Sequence, residues 1–263
     1  MKHQYGNSVT LSIEGQHALV RFDRGVNRNA LDQDTILALT QVARDLADSL
    51  HIQTVVLTGA ADIFSAGIDL KDPAKWNEGE QGLLERRDVA QRGARLCRAW
   101  EELPQLTIAA IEGLAVGGSA ALTLACDWRV AATDAAFYLP EAKVGLNMGW
   151  GAIPRLTAIV GAARCKRAIL LAEKLTMPLA EEWGLVDATA EPGQAVEAAM
   201  ALARRAGATP SALLRMTKEA VNASATALQR MSIYMDADQA LVCRDSNEGQ
   251  QARATMLGGQ PTA

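Results

Sequence analysis

Apolar and polar residues alternate along Val9–Ile13 and again along Ala18–Phe22, on either side of Glu14-Gly15. A period of two flanking a turn predicts a β-hairpin. The loop Arg24–Asn29 follows it. From Asp32 to Leu50 the period lengthens, with apolar residues at Ile36, Leu37, Leu39, Val42, Ala43, Leu46 and Leu50, and a helix is expected. Thr54–Thr58 is a short β-branched run stopped by Gly59, which reads as a buried strand. Leu106–Ile111 and Trp128–Ala132 read the same way, and a helix from about Leu83 to Leu103, stopped by Pro104, lies before them. The polar stretch Lys71–Gly82 interrupts the pattern and is expected to be the most mobile segment. From about Ala162 onward the pattern is helical, with Pro178, Gly184 and Pro210 as breaks. Strands that are apolar throughout, alternating with helices, predict an α/β fold whose mainly parallel sheet is covered by helices. The Ala- and Leu-rich C-terminal helices have apolar faces that need a partner, either the core or another subunit.

Composition narrows the field. The 263 residues suffice for one large domain, or a core with a small appendage. Apolar residues make up 49% and charged residues 21%, so a sizeable core is expected rather than disorder. The net charge of −4, without a Lys/Arg block, argues against nucleic acid or an anionic membrane as partner. Cys97, Cys126, Cys165 and Cys243 are scattered without metal-type spacing, as expected of unpaired thiols in a reducing compartment. The first residues lack the apolar core of a signal peptide, and no apolar run approaches the about 20 residues of a membrane span. A cytoplasmic protein is expected.

The candidate chemistry sits in two turns and one carboxylate. Phe64-Ser65-Ala66-Gly67-Ile68-Asp69-Leu70 and Val116-Gly117-Gly118-Ser119-Ala120-Ala121 each place small residues after an apolar strand and before an expected helix. Such turns can aim bare backbone N–H groups at a ligand. If they face one another, they form a trap for negative charge on a carbonyl oxygen. Gly-Gly equally serves tight strand–helix packing, and Asp69 fits a capping role better than a chemical one. Glu141, at the end of an apolar segment and before a Gly-rich loop, is placed for a pocket wall, although a Glu after a Pro taken alone is more often a solvated loop residue. An apolar pocket there suits it to acid–base work. Gly117-Gly118-Ser119-Ala120-Ala121 also loosely matches a nucleophile elbow. That hydrolase order needs a downstream histidine, and His3, His17 and His51 all lie upstream. No zinc spacing, phosphate loop or strand-linked dinucleotide fingerprint is present.

Taken in order, Arg24…Asn29-Ala30-Leu31, the Phe64–Leu70 turn, Ala110-Ile111-Glu112-Gly113…Gly117-Gly118, Ala125-Cys126-Asp127, Leu139-Pro140-Glu141, the Gly151–Leu156 loop and Ala180–Asp187 resemble the enoyl-CoA hydratase/isomerase (crotonase) family across essentially the whole chain. The resemblance implies a spiral of repeated β-β-α turns with a helical C-terminal region. Its division would be a core over residues 1–195 and a helical trimerisation region over 196–263, assembled as a homotrimer or homohexamer. It implies a coenzyme A thioester as substrate, with no separate cofactor and no metal. The oxyanion donors would be the N–H groups of Ile68 and Gly118. Coenzyme A would lie along Arg28–Ala30 and Ala66–Leu70, including Asp69, with Gly117 beside the thioester. Trp150 and the Lys71–Gly82 segment would shape the acyl pocket.

One departure changes the expected reaction. Hydratases of the family carry a glutamate three residues after the second Gly of the Gly-Gly turn, where this chain has Ala121. The carboxylate that dienoyl isomerases of the family use, eight residues past Glu141, is here Gly149. A one-glutamate double-bond isomerase is therefore slightly favoured over a hydratase. The alternatives are an acyl-CoA-binding protein with weak catalysis, or a specialised dehydratase, decarboxylase or C–C lyase acting on a thioester.

Overall fold

The computed structural model describes residues 2–72, 82–227 and 229–256, so most of the Lys71–Gly82 stretch lies outside the described residues. The strands, in chain order, are β1 (Lys2–Tyr5), β2 (Val9–Glu14), β3 (His17–Phe22), β4 (Thr54–Thr58), β5 (Leu106–Ile111), β6 (Leu114–Val116), β7 (Trp128–Ala132), β8 (Ala136–Tyr138), β9 (Lys174–Thr176) and β10 (Ala188–Ala190). A seven-stranded sheet runs β1-β2-β3-β4-β5-β7-β10, and a three-stranded sheet runs β6-β8-β9. The hairpin forms as expected, with Val9 opposite Phe22 and Glu14 opposite His17. From β3 through β10 the large sheet is parallel.

Period-two logic explains its two layers. Val55 and Leu57 of β4 point into the main core, while Val56 points to the opposite face. There, with Ile108, Ala110 and Val130, it meets Ala195, Ala199 and Ala203 of helix α7 (Ala195–Ala206). Alanines at a spacing of four form a flat stripe that lets this helix lie close on the strands. A buried carboxylate fixes its start, because Glu112 accepts from Ala195 N–H at 2.8 Å and Gly193 N–H at 2.9 Å.

Earlier in the chain, helix α1 (Gln33–Ala47) begins at Asp32, whose carboxylate accepts from Thr35 N–H at 2.8 Å. It ends before Leu50, which is 82% exposed and forms no part of the buried stripe. Helix α2 (Leu83–Glu101) stops just short of Pro104, and α3 (Gly118–Leu124) is short and buried throughout. After α4 (Ala152–Val160) and α5 (Ala162–Leu170), the expected all-helical stretch is broken by β9 and β10. Both strands are only three residues long, too short to impose a period. Pro178 also differs from expectation. It sits in the first turn of α6 (Met177–Glu182), where a missing N–H costs nothing, so it starts a helix rather than ending one. Beyond α7 come α8 (Ser211–Ala225), α9 (Gln229–Ile233), α10 (Asp236–Asp245) and α11 (Asn247–Met256). Helix α10 packs on α2, and α11 packs on the turn at Glu141. Among the described residues no helix is long and apolar enough to cross a membrane.

Candidate active site

Strand register places the three candidate segments side by side. Ser65 bridges Ala115 in parallel, and Ala115 pairs with Phe137 in parallel. The Ser65 turn, the Gly117 turn and the chain leading to Glu141 therefore leave one level of structure in the same direction. Gly117 N–H donates to the Tyr138 carbonyl at 2.7 Å, which carries the pairing past the ends of β6 and β8. The Ser119 hydroxyl then ties two of the turns together, lying 3.0 Å from the Ser65 carbonyl and accepting from Val116 N–H at 2.9 Å. It is fully buried, so the serine that mimics a nucleophile elbow is a structural tie.

Each turn presents a particular peptide group. Leu31 N–H donates to the Gly67 carbonyl at 2.7 Å, and Asp69 N–H donates to the Leu31 carbonyl at 2.9 Å. This parallel bridge occupies the peptide groups on either side of Ile68 and turns the N–H of Ile68 to the opposite side. Gly67 has φ +87, and a Cβ there would stand 2.6 Å from the Val116 carbonyl oxygen, so only glycine fits. At the second turn Gly117 has φ 53 and ψ −118 and serves as N-cap of α3. As the first helical residue, Gly118 has no carbonyl one turn back to receive its N–H.

Ile68, Gly118 and Glu141 line one cavity, together with Met148, Trp150 and Asp236. The Glu141 carboxylate lies directly against Gly117, and a Cβ on that glycine would collide with Oε1. Ala121 is fully buried in the main core and does not border the cavity, so α3 supplies no acid or base.

Trp150 has φ 61, a left-handed conformation that costs a bulky residue about 1–3 kcal/mol. Its indole lies between Gly93 of α2 and Gly118 of α3. A Cβ on Gly93 would overlap the ring, and one on Gly118 would sit 2.8 Å from ring carbons Cη2 and Cζ3. Two clamps hold this strained loop. Arg155 Nη1 donates to the Trp150 carbonyl at 2.8 Å, while Arg155 also pairs with both carboxylate oxygens of Glu101 at 2.7 and 2.8 Å. Gly151 N–H donates to Asp236 Oδ2 at 2.8 Å. Burial raises the pKa of Asp236, partly offset by this hydrogen bond and by the charge of Arg155. A Cβ on Gly149 would stand 4.0 Å from the Asp236 Cβ, so a carboxylate from α10 borders the space that Gly149 leaves open. No local motif announces Asp236, because it lies far along the chain and reaches the site only through the packing of α10.

The expected coenzyme A segments come together beside the cavity, and of their residues only Ile68 borders it. Ala66 N–H donates to the Arg28 carbonyl at 3.0 Å, which joins Arg28–Ala30 to Ala66–Leu70. The Arg28 side chain is exposed, whereas Ala30 is buried. Asp69 is buried and acts structurally: Oδ2 accepts from Arg24 Nη1 at 2.8 Å and Asn27 Nδ2 at 3.2 Å, and Oδ1 accepts from Lys71 N–H at 3.0 Å. Burial alone would raise its pKa, but the Arg24, Lys71 and Asn27 hydrogen bonds outweigh it and leave the pKa lowered. The cysteines take no part. Burial pushes the thiols of Cys97 and Cys126 up to about 12, which leaves them inert.

The family model described as enoyl-CoA hydratase/isomerase matches residues 13–254, and the chain belongs to that family, whose members act on acyl-CoA thioesters. It is 30% identical over 217 residues to a short-chain-enoyl-CoA hydratase of Clostridium acetobutylicum, covering 82% of this chain and 81% of that one. It is 27% identical over 249 residues to a crotonyl-CoA hydratase of Syntrophomonas wolfei, covering 93% and 94%. In fold it matches a crystal structure of an enoyl-CoA hydratase from Mycobacterium avium subsp. paratuberculosis with a TM-score of 0.85 at 24% identity, over 98% of each chain.

Proposed function

We propose that this enzyme moves a proton on an enoyl-CoA thioester, with Glu141 as its single acid–base and the N–H groups of Ile68 and Gly118 as donors to the thioester oxygen. The observation that carries this reading is the convergence of those three residues, from three separate turns, on one cavity. Proton removal α to a thioester, or addition there, passes through an enolate. Each preorganised donor to the enolate oxygen is worth about 2.7–4 kcal/mol, and a placed carboxylate adds about 10²–10⁴-fold.

Between the two family reactions, the shift of a double bond from the β,γ to the α,β position is slightly favoured. One carboxylate suffices to carry one proton between two carbons, and Ala121 withholds the second glutamate from α3. Hydration is the second reading, favoured by the hydratase names of the relatives. In that case Glu141 both activates water and protonates the α-carbon. In either case coenzyme A lies along Arg28–Ala30 and Ala66–Leu70, and the protein carries no separate cofactor.

The test follows 2-enoyl- and 3-enoyl-CoA thioesters of several chain lengths by ultraviolet absorbance and mass, with wild type beside Glu141→Gln. Conversion of 3-enoyl to 2-enoyl without mass change, reduced about 10²–10⁴-fold in the variant, supports the isomerase. Gain of one water from 2-enoyl substrates selects the hydratase. Tight thioester binding with no solvent deuterium exchange, unaffected by Glu141→Gln, overturns both in favour of a binding protein.

A further inference from the structure

The cavity shared by Glu141, Ile68 and Gly118 leaves only about 80 Å³ of free space. Pockets that enclose drug-sized ligands run to about 300–1,000 Å³. From α2 the cavity is faced by Ala90 and Ala94, both small, whereas α10 contributes Leu241 and Arg244 beside Ala237 and Ala240. On the side between α2 and α3 the bulk is that of Trp150. Its indole fills the gap between α2 and α3, and both helices present a glycine to it, at Gly93 and Gly118. That position is held against the backbone preference of the residue. Trp150 is in the left-handed region, between a carbonyl gripped by Arg155 and a following N–H gripped by Asp236. A strained, doubly clamped aromatic side chain at the wall of a binding cavity indicates selection for what the ring does there.

We infer that the Trp150 indole is the stop that limits acyl-chain length, and that the protein takes short-chain enoyl-CoA thioesters. The inference rests on the function proposed above and names its substrate class. The ring touches Gly118, the residue whose N–H meets the thioester oxygen in that reading, so the stop lies close to the reacting carbons. A short acyl group ends against the ring face. A longer chain has to pass between α2 and α3, where the ring already stands. Removing the ring opens that passage, continuous with the cavity and bounded by the two glycines and the alanines of α2.

The experiment measures kcat/KM for butenoyl-, octenoyl- and hexadecenoyl-CoA with wild type, Trp150→Leu and Trp150→Ala. Isothermal calorimetry with the corresponding saturated acyl-CoA thioesters runs in parallel. Wild type should prefer butenoyl-CoA. The octenoyl-to-butenoyl ratio should rise about 10-fold or more in the variants, the scale on which a hydrophobic pocket discriminates chain length. A wild-type preference for hexadecenoyl-CoA overturns the inference without any variant, and so does an unchanged ratio in a folded, active variant. Trp150→Leu keeps an apolar side chain at the site for the case in which Trp150→Ala does not fold. If wild type turns over none of the thioesters, the proposed function fails. The calorimetric series then still decides the length limit, which stands only if wild type binds butanoyl-CoA more tightly than hexadecanoyl-CoA and the variants reverse that order.

Discussion

At the scale of single residues, the site depends on positions where a side chain is excluded as much as on those where one is required. Gly117 combines a backbone conformation foreign to L-residues with direct contact against the Glu141 carboxylate. Gly117→Ala should therefore cost about 1–3 kcal/mol of stability through backbone strain. It should also cost activity on the scale of Glu141→Gln, about 10²–10⁴-fold, because the new Cβ displaces the carboxylate. Paired thermal melts and turnover measurements check this. A variant that melts early yet keeps full activity would show that the carboxylate position is not critical. Gly117, Gly118 and Glu141 were all legible in the sequence, since the turn and the carboxylate each carry a local signal. Ser119 was legible only as a false nucleophile. Its role as a tie between two turns depends on the Ser65 carbonyl, which only the fold brings within reach.

At the scale of elements, α10 completes the cavity from a distant part of the chain. It contributes Asp236, and with it one of the two clamps on the Trp150 loop. The carboxyl of Asp236 is buried and its pKa is raised above the ordinary 3.8, so the native state holds this proton more tightly than the unfolded chain does. Its contribution to stability is then fully present below the ordinary value and is lost as pH rises through the raised one. Asp236→Asn keeps an acceptor for Gly151 N–H but cannot ionise. Its melting temperature relative to wild type should rise as pH increases through the acid range above 3.8. Melts at a series of pH values test this, and a difference that stays constant with pH would refute the assignment. The hairpin, β4, β5, β7 and the body of α1 and α2 were legible from periodicity. The strands β9 and β10 were not, because three residues carry no period and their pairing partners lie elsewhere in the chain.

At the scale of the whole molecule, the C-terminal helices divide their apolar surface. Helices α10 and α11 close the site within their own chain. Helix α8 instead leaves Leu213, Met216 and Val221 at 56%, 67% and 58% exposed. Leu213 and Val221 line a groove that also runs along Leu124 and Trp128. The family resemblance assigns such surface to contacts between copies, and a homotrimer or homohexamer is the expected state. Sedimentation velocity at micromolar concentration reads it directly, and Leu213→Glu with Val221→Glu should shift the species towards monomer. A wild-type protein that sediments as a monomer would refute the assembly.

The amino-acid sequence by itself determined the α/β class, the order of most long elements, the family, and the three residues around which a thioester reaction can be built. The class and the element order follow from periodicity and turn chemistry, which act over a few residues, whereas the family and the roles of the three residues follow from the resemblance of several motifs taken in order. The tertiary structure alone decided that the three residues share one cavity, because that depends on Ser65, Ala115 and Phe137 falling into parallel register. It alone decided that an indole stands between two glycines on facing helices and that a carboxylate from α10 steadies it. Such contacts join residues far apart in the chain, and no local pattern records a distance that packing sets.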